Sequence, residues 1–396
     1  MNRKEFLRQS AIAAIGTWLV PDFVKAYEHR SPLRQNDKIL VVLQFSGGND
    51  GLNTIIPYRN DIYYRERPRL AIQATESLPF TDEMAFHPAL SKLRKWYDDG
   101  YFTVLSEVGY PNPDRSHFRS MDIWQTASDS ADYLRTGWIG RYLDAQCNGA
   151  CQAYHAVEID DQLSLSMKGT AVKGLAVSDP QRLHNQTQNK FYQELAKVNH
   201  EEYHNVDYLY KTLAETISSS DYLYAKTKVT EPPAVYPAHD LGRKMRTVSG
   251  FIRSGVEASV FYVSHGSFDT HVNQKPQQDR LLGQYAEALD AFLADMKKLG
   301  RLDDVIVMTF SEFGRRVRQN ASNGTDHGTA NCLFWAGGTL KPVPALSAAP
   351  DLSRLDEGDL RYRTDFRDVY ATLLDKWLQV DSTAILGRKF PGLPLA

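Results

Sequence analysis

The chain has 396 residues, 42% of them hydrophobic and 24% charged, which is enough apolar material to bury one large core. A formal net charge of -2 gives no electrostatic pull toward nucleic acid, and a mean hydropathy of -0.44 without any long apolar run argues against a transmembrane domain. Three cysteines, Cys147, Cys151 and Cys332, are too few for a disulfide scaffold or a zinc finger. Cys147 and Cys151 could pair in an oxidising compartment, or could simply flank the turn at Asn148-Gly149.

Residues 1–26 read as an export signal. Asn2 to Arg8 is a basic head, Ala11 to Val20 a short apolar segment, and Val24-Lys25-Ala26 a small-x-small cleavage site, so the mature chain is expected to begin near Tyr27. The head resembles a twin-arginine signal, with Lys4 in the second arginine's place. Ordinary unfolded secretion stays open as the route, and the expected destination is the periplasm or cell envelope.

Beyond the signal, Lys38 to Phe45 is an apolar, β-branched run that predicts a buried strand, closed by the turn Ser46-Gly47-Gly48-Asn49-Asp50-Gly51. His87 to Tyr97 has helical spacing, and Tyr101 to Val108 reads as a second strand. After a Pro-rich turn, Phe118, Met121 and Trp124 recur at helical intervals, which puts Ser116 and His117 at a helix N-terminus, where backbone N–H groups favour an anion. Residues 128–240 carry polar helical stretches such as 188–213 and the breaker Glu231-Pro232-Pro233-Ala234. That region is expected to be an insertion or cap, because the strand pattern resumes only after it. Ala258 to Val263 is strand-like and leads into Phe268-Asp269-Thr270-His271. Asp279 to Leu299 is an amphipathic helix ending at Gly300, and Val305 to Phe310 is a strand completing a parallel β-α-β crossover. Ser311-Glu312-Phe313-Gly314-Arg315-Arg316 follows, then Thr325-Asp326-His327-Gly328 ahead of another apolar run; Phe366 to Leu378 is a final helix.

Alternating buried strands and amphipathic helices predict an α/β fold, a mostly parallel doubly wound sheet with helices on both faces. Carboxylates at strand carboxyl ends, Asp50, Asp269 and Glu312, are then expected along one edge of that sheet. Carboxylate and imidazole are ligands for zinc or manganese, and an all-oxygen set suits magnesium or calcium. Arg315 and Arg316 could clamp a tetrahedral anion. Each residue also has a plainer reading. Asp50 can be a turn residue, Asp114 or Ser116 a helix cap, Asp269 with His271 an Asx-type turn, and Glu312 a surface partner of Arg315 or Arg316.

Five ordered motifs, Ser-Gly-Gly-Asn-Asp-Gly, Arg-Ser-His-Phe-Arg, Phe-Asp-Thr-His, Ser-Glu-Phe-Gly-Arg and Asp-His-Gly-Thr, resemble the exported bacterial proteins grouped as domain of unknown function 1501. That family is similar in layout to the alkaline phosphatase superfamily, which includes sulfatases and cofactor-independent phosphoglycerate mutases. The resemblance implies an alkaline phosphatase-like domain holding one or two divalent ions. Asp269, His271 and His327 would ligate one ion, with donor atoms mutually about 3 to 4 Å apart. Asp50, Glu312 and the nucleophile Ser116 would serve the other, and His117 or Asp326 would stand in for the imidazole missing at Phe313. It implies a hydrolase of phosphate or sulfate esters, on small-molecule or carbohydrate-linked substrates. Phe313 keeps a second function open: a binding or assembly protein that retains the fold with an incomplete site.

Overall fold

The computed structural model describes residues 37–147, 152–196, 204–228 and 235–395. The export signal, Cys151 and the breaker at 231–234 lie outside them. The first strand, β1 (Ile39–Phe45), is buried at every position, as expected of a central parallel strand covered on both faces. Its side chains alternate. Ile39, Val41, Leu43 and Phe45 enter one apolar core, and Leu40 and Val42 enter the other.

In chain order the remaining strands are β2 (Ile55–Ile56), β3 (Leu78–Pro79), β4 (Ala85–Phe86), β5 (Phe102–Gly109), β6 (Ala156–Glu158), β7 (Leu175–Ala176) and β8 (Val260–His265). They are followed by β9 (Val305–Ser311), β10 (Arg315–Gln319), β11 (Thr325–His327), β12 (Asn331–Gly337) and β13 (Thr364–Asp365). Eight of them form the main sheet in the order β13-β5-β12-β9-β1-β8-β6-β7. Within it β12 alone pairs antiparallel, with β5 and with β9. The architecture is mixed α/β with a large, mostly parallel central sheet.

Helices cover both faces. Asp240–Arg253 and Gln274–Lys298 pack on the Leu43 side, while His117–Thr126, Trp138–Cys147 and Phe366–Thr372 pack on the Val42 side. The long helix starts five residues before the position expected from sequence, with Pro276 in its first turn, where a missing N–H costs nothing. It buries Leu282, Tyr285, Leu289, Phe292 and Met296 and ends before Gly300, whose φ is +71°. This helix links β8 to β9, which flank β1 on either side.

Three expectations change. The stretch 128–240, expected as an insertion or cap, supplies β6 and β7 to the sheet itself and Trp138, Ile139 and Leu143 to the core. The helix expected over 188–213 is instead Pro180–Thr187, Lys190–Leu195 and, beyond a stretch outside the described residues, His204–Lys228. In His117–Thr126 only Trp124 of the expected apolar stripe is in the core; Phe118 is 88% exposed. Among the described residues no helix is long and apolar enough to cross a membrane.

Candidate metal centre at the carboxyl edge of the sheet

The register of β1 sets Phe45 level with His265 of β8 and Ser311 of β9. The chain therefore leaves three adjacent strands at one edge, and Asp50, Asp269 and Glu312 all follow those ends. The glycine turn after β1 allows a close approach. Gly47 has φ +119°, and a Cβ there would lie 2.5 Å from the Asp269 nitrogen, so only glycine admits the Asp269 loop. The hairpin β10–β11 returns to the same place, with His327 opposite Arg315. Antiparallel β12 begins at this edge, where Asn331 donates to the carbonyls of Asn49 and Phe313.

Four side chains converge here. His271 Nε2 lies 2.9 Å from Asp269 Oδ1 and 2.9 Å from His327 Nε2, and His327 Nε2 lies 3.2 Å from Asp269 Oδ1. His117 comes from the helix on the opposite side of the crevice, its Nε2 3.5 Å from Asp269 Oδ2. Donor atoms of His117, Asp269 and His327 all fall within 4.8 Å of one another. The outer contacts decide the tautomers. His327 Nδ1 is 2.8 Å from the Arg115 carbonyl, which can only accept, and His117 Nδ1 is 2.9 Å from Glu312 Oε1. Both rings thus keep their proton on Nδ1 and turn an Nε2 lone pair toward Asp269. His117 Nε2 is buried and makes no hydrogen bond among the described residues. Lone pairs facing one another across 2.9 Å repel unless a proton or a cation lies between them. The donor set, imidazoles with one carboxylate, fits a divalent ion such as zinc.

Electrostatics agree with that use. Partial burial pushes Asp269 upward, but the hydrogen bond and charge of the Arg315 guanidinium overcome it and hold the carboxyl at about 2. His117 is raised above 6.5, first by its bond to Glu312, whereas burial lowers His327 despite the Arg115 carbonyl. Residues 37–389 match the family described as Protein of unknown function (DUF1501). The chain belongs to that family.

No curated protein matches the chain by sequence. Among solved structures the chain is similar to the periplasmic domain of EcEptC from Escherichia coli in complex with zinc, at 9% identity and TM-score 0.38, covering 78% of this chain and 75% of that one. It is similar to an alkaline phosphatase superfamily protein from Vibrio parahaemolyticus at 12% identity and TM-score 0.35, covering 91% and 70%. The PsFucS1 sulfatase from Pseudoalteromonas sp. gives 11% identity and TM-score 0.35, covering 93% and 70%.

The other anticipated site residues of this DUF1501 chain sit differently. Asp50 is 2% exposed, caps the short helix Gly51–Thr54, and is bound by Arg67 Nη1 at 2.6 Å and by Gln274. Arg315, expected as an anion clamp, has no exposed side-chain surface. Its N–H groups go to the carbonyls of Gly48, Phe268 and Thr325 and to Asp269. Ser116 is exposed and makes no cap bond, and Asp114 accepts its backbone N–H instead. Asp326 is exposed and stands 3.6 Å from the far nitrogen of His271. Arg316 is half-buried and leans toward Asp359. Phe313 is buried, with its ring against His117 at 4.8 Å and His327 at 4.7 Å. Arg67 and Gln274, which bind Asp50, were not legible beforehand. Gln274 precedes the apolar period of its helix, and Arg67 lies in a charged stretch that reads as surface.

Beside the cluster is a cleft of about 450 Å³ lined by Ser46, Gly47, Phe118, Met121 and Glu312 among others. Phe118 and Met121, turned away from the core, form its apolar wall.

Proposed function

We propose that this chain is an exported, metal-dependent hydrolase of phosphate or sulfate esters. One observation carries the reading: two imidazoles with protons fixed on Nδ1 direct Nε2 toward a strongly acidic Asp269. Outer hydrogen bonds of that kind orient the ligands of a metal. A divalent ion held by Asp269, His271, His327 and His117 would supply Lewis acidity toward an ester oxygen and lower the pKa of an attacking hydroxyl.

The remaining work falls to this chain's own side chains. Glu312 holds the His117 proton, and the Arg115 carbonyl holds that of His327. Asp269 balances the charge of the Arg315 guanidinium. Ser116, exposed just before the helix that carries His117 and engaged in no cap bond, is the hydroxyl we assign as nucleophile. The apolar wall of Phe118 and Met121 suits the non-reacting part of an ester.

The test is metal content and turnover measured together. Purified protein should carry zinc or manganese by mass spectrometry of the elements and should cleave an aryl phosphate or aryl sulfate. In His327→Ala the metal affinity should fall by more than the ~10–100-fold typical of losing an outer-shell partner, and turnover should fall with it. A wild-type protein that takes up no metal, with a His327→Ala variant binding its partners unchanged, would replace the hydrolase with a non-catalytic binding protein.

A further inference from the structure

Asp269 has two oxygens and more than one cationic neighbour. Its Oδ1 receives the Arg315 guanidinium at 2.8 Å, on the same side as His271 and His327. The Arg315 side chain is 0% exposed and is surrounded by oxygen: Gly48 O at 2.6 Å, Thr325 O at 2.9 Å and Phe268 O at 3.1 Å. Carbonyls and a carboxylate are the ligands that a hard divalent cation would use. Here they enclose a guanidinium.

The other carboxylates are committed as well. Asp50 is neutralised in the interior by Arg67 at 2.6 Å, with both side chains at 1% exposure or less. Removing either partner of such a pair leaves a buried charge uncompensated, so Asp50 is not free to leave Arg67 for a metal. Glu312 Oε1 accepts the Gly47 N–H at 2.8 Å and faces His117 Nδ1, so it orients an imidazole. Phe313 places carbon against both His117 and His327. A second dication sharing Asp269 would meet the fixed charge of Arg315 at contact distance; the Asp269 side chain is 48% exposed, but the guanidinium itself has no exposed surface, so solvent screens it little.

We propose that this centre takes one metal ion and not two, because the buried Arg315 guanidinium is the fixed cation in the second position. This rests on the metal-dependent reading above and narrows it. Atomic-emission counting after dialysis of the full chain against zinc or manganese should give one ion per chain. The manganese-loaded protein should show the six-line paramagnetic resonance spectrum of an isolated ion. Two ions per chain, or a spin-coupled pair, would overturn the inference while leaving a metal enzyme intact. No ion at all would remove the metal-dependent reading itself. Arg315→Ala should open an oxygen-lined space, so added calcium should raise its count to two. A folded Arg315→Ala chain that stops at one ion would show that Arg315 is not what excludes the second. Should that variant fail to fold, the wild-type count and spectrum still decide.

Discussion

At the residue scale, the site works through which nitrogen carries the proton. Glu312 raises His117, so this imidazole protonates at a higher pH than an ordinary histidine, while burial keeps His327 neutral to lower pH. Metal binding needs both neutral. As pH falls, proton competition should begin at His117, and affinity should decline from above 6.5. In the metal-free protein the sign reverses for stability. A raised imidazole stabilises the fold below its unfolded value and ceases to do so as pH rises through its folded value. Asp269 acts oppositely: its contribution is present above 3.8 and is lost as pH falls toward about 2. Imidazole NMR titration of the metal-free protein should place His117 above His327. Glu312→Gln should move His117 downward and weaken metal binding by about 10–100-fold. An unmoved His117 in that variant would remove Glu312 from its orienting role.

At the element scale, the site depends on a stiff platform. β8, β1 and β9 are joined in register, and the helix Gln274–Lys298 clamps them from the Leu43 face. That helix also starts the site, since Gln274 binds Asp50 and Thr325. Leu289 lies mid-helix at 0% exposure. Leu289→Ala should cost about 2–5 kcal/mol, as large-to-small core changes do, and a denaturant midpoint with unchanged slope would measure it. The apo-site histidines should titrate as before, because the change lies in the core, away from the edge. A cost below about 1 kcal/mol would mean that the helix is not held by this core.

At the scale of the whole molecule, the described residues begin at Asp37, immediately before β1. The expected export signal, residues 1–26, precedes them. Intact-mass measurement of protein recovered from the cell envelope should give a chain beginning near Tyr27. A species that retains Met1 and stays in the cytoplasm would count against export. Oxidation is a lesser concern at Cys332: burial pushes this thiol well above its usual range, and the thiolate is the reactive form.

β1, β8, β9 and the long helix were legible in the sequence, because continuous apolar runs and 3.6-residue spacing are local signals that burial reinforces. Asp269 and His271 were legible just past a strand's carboxyl end, where crevices collect side chains, and His327 just ahead of another apolar run, whereas the hairpin that carries His327 was not. Which ends adjoin, and which groups pair there, follows from the packing of distant segments in the sheet. β6 and β7 have three and two residues, too short for any period to register. Asp50 and Arg315 look alike from sequence, charged residues just past strands, yet one is neutralised by Arg67 and the other is enclosed by carbonyls. Phe118 and Trp124 are six residues apart, about 120° around a helix of 3.6 residues per turn, so Trp124 packs in the core and Phe118 lines the cleft. Local pattern sets whether a side chain belongs to a strand or a helix. Its partners come from distant segments, and hydrogen bonding and desolvation at those contacts decide whether it serves the fold or the site.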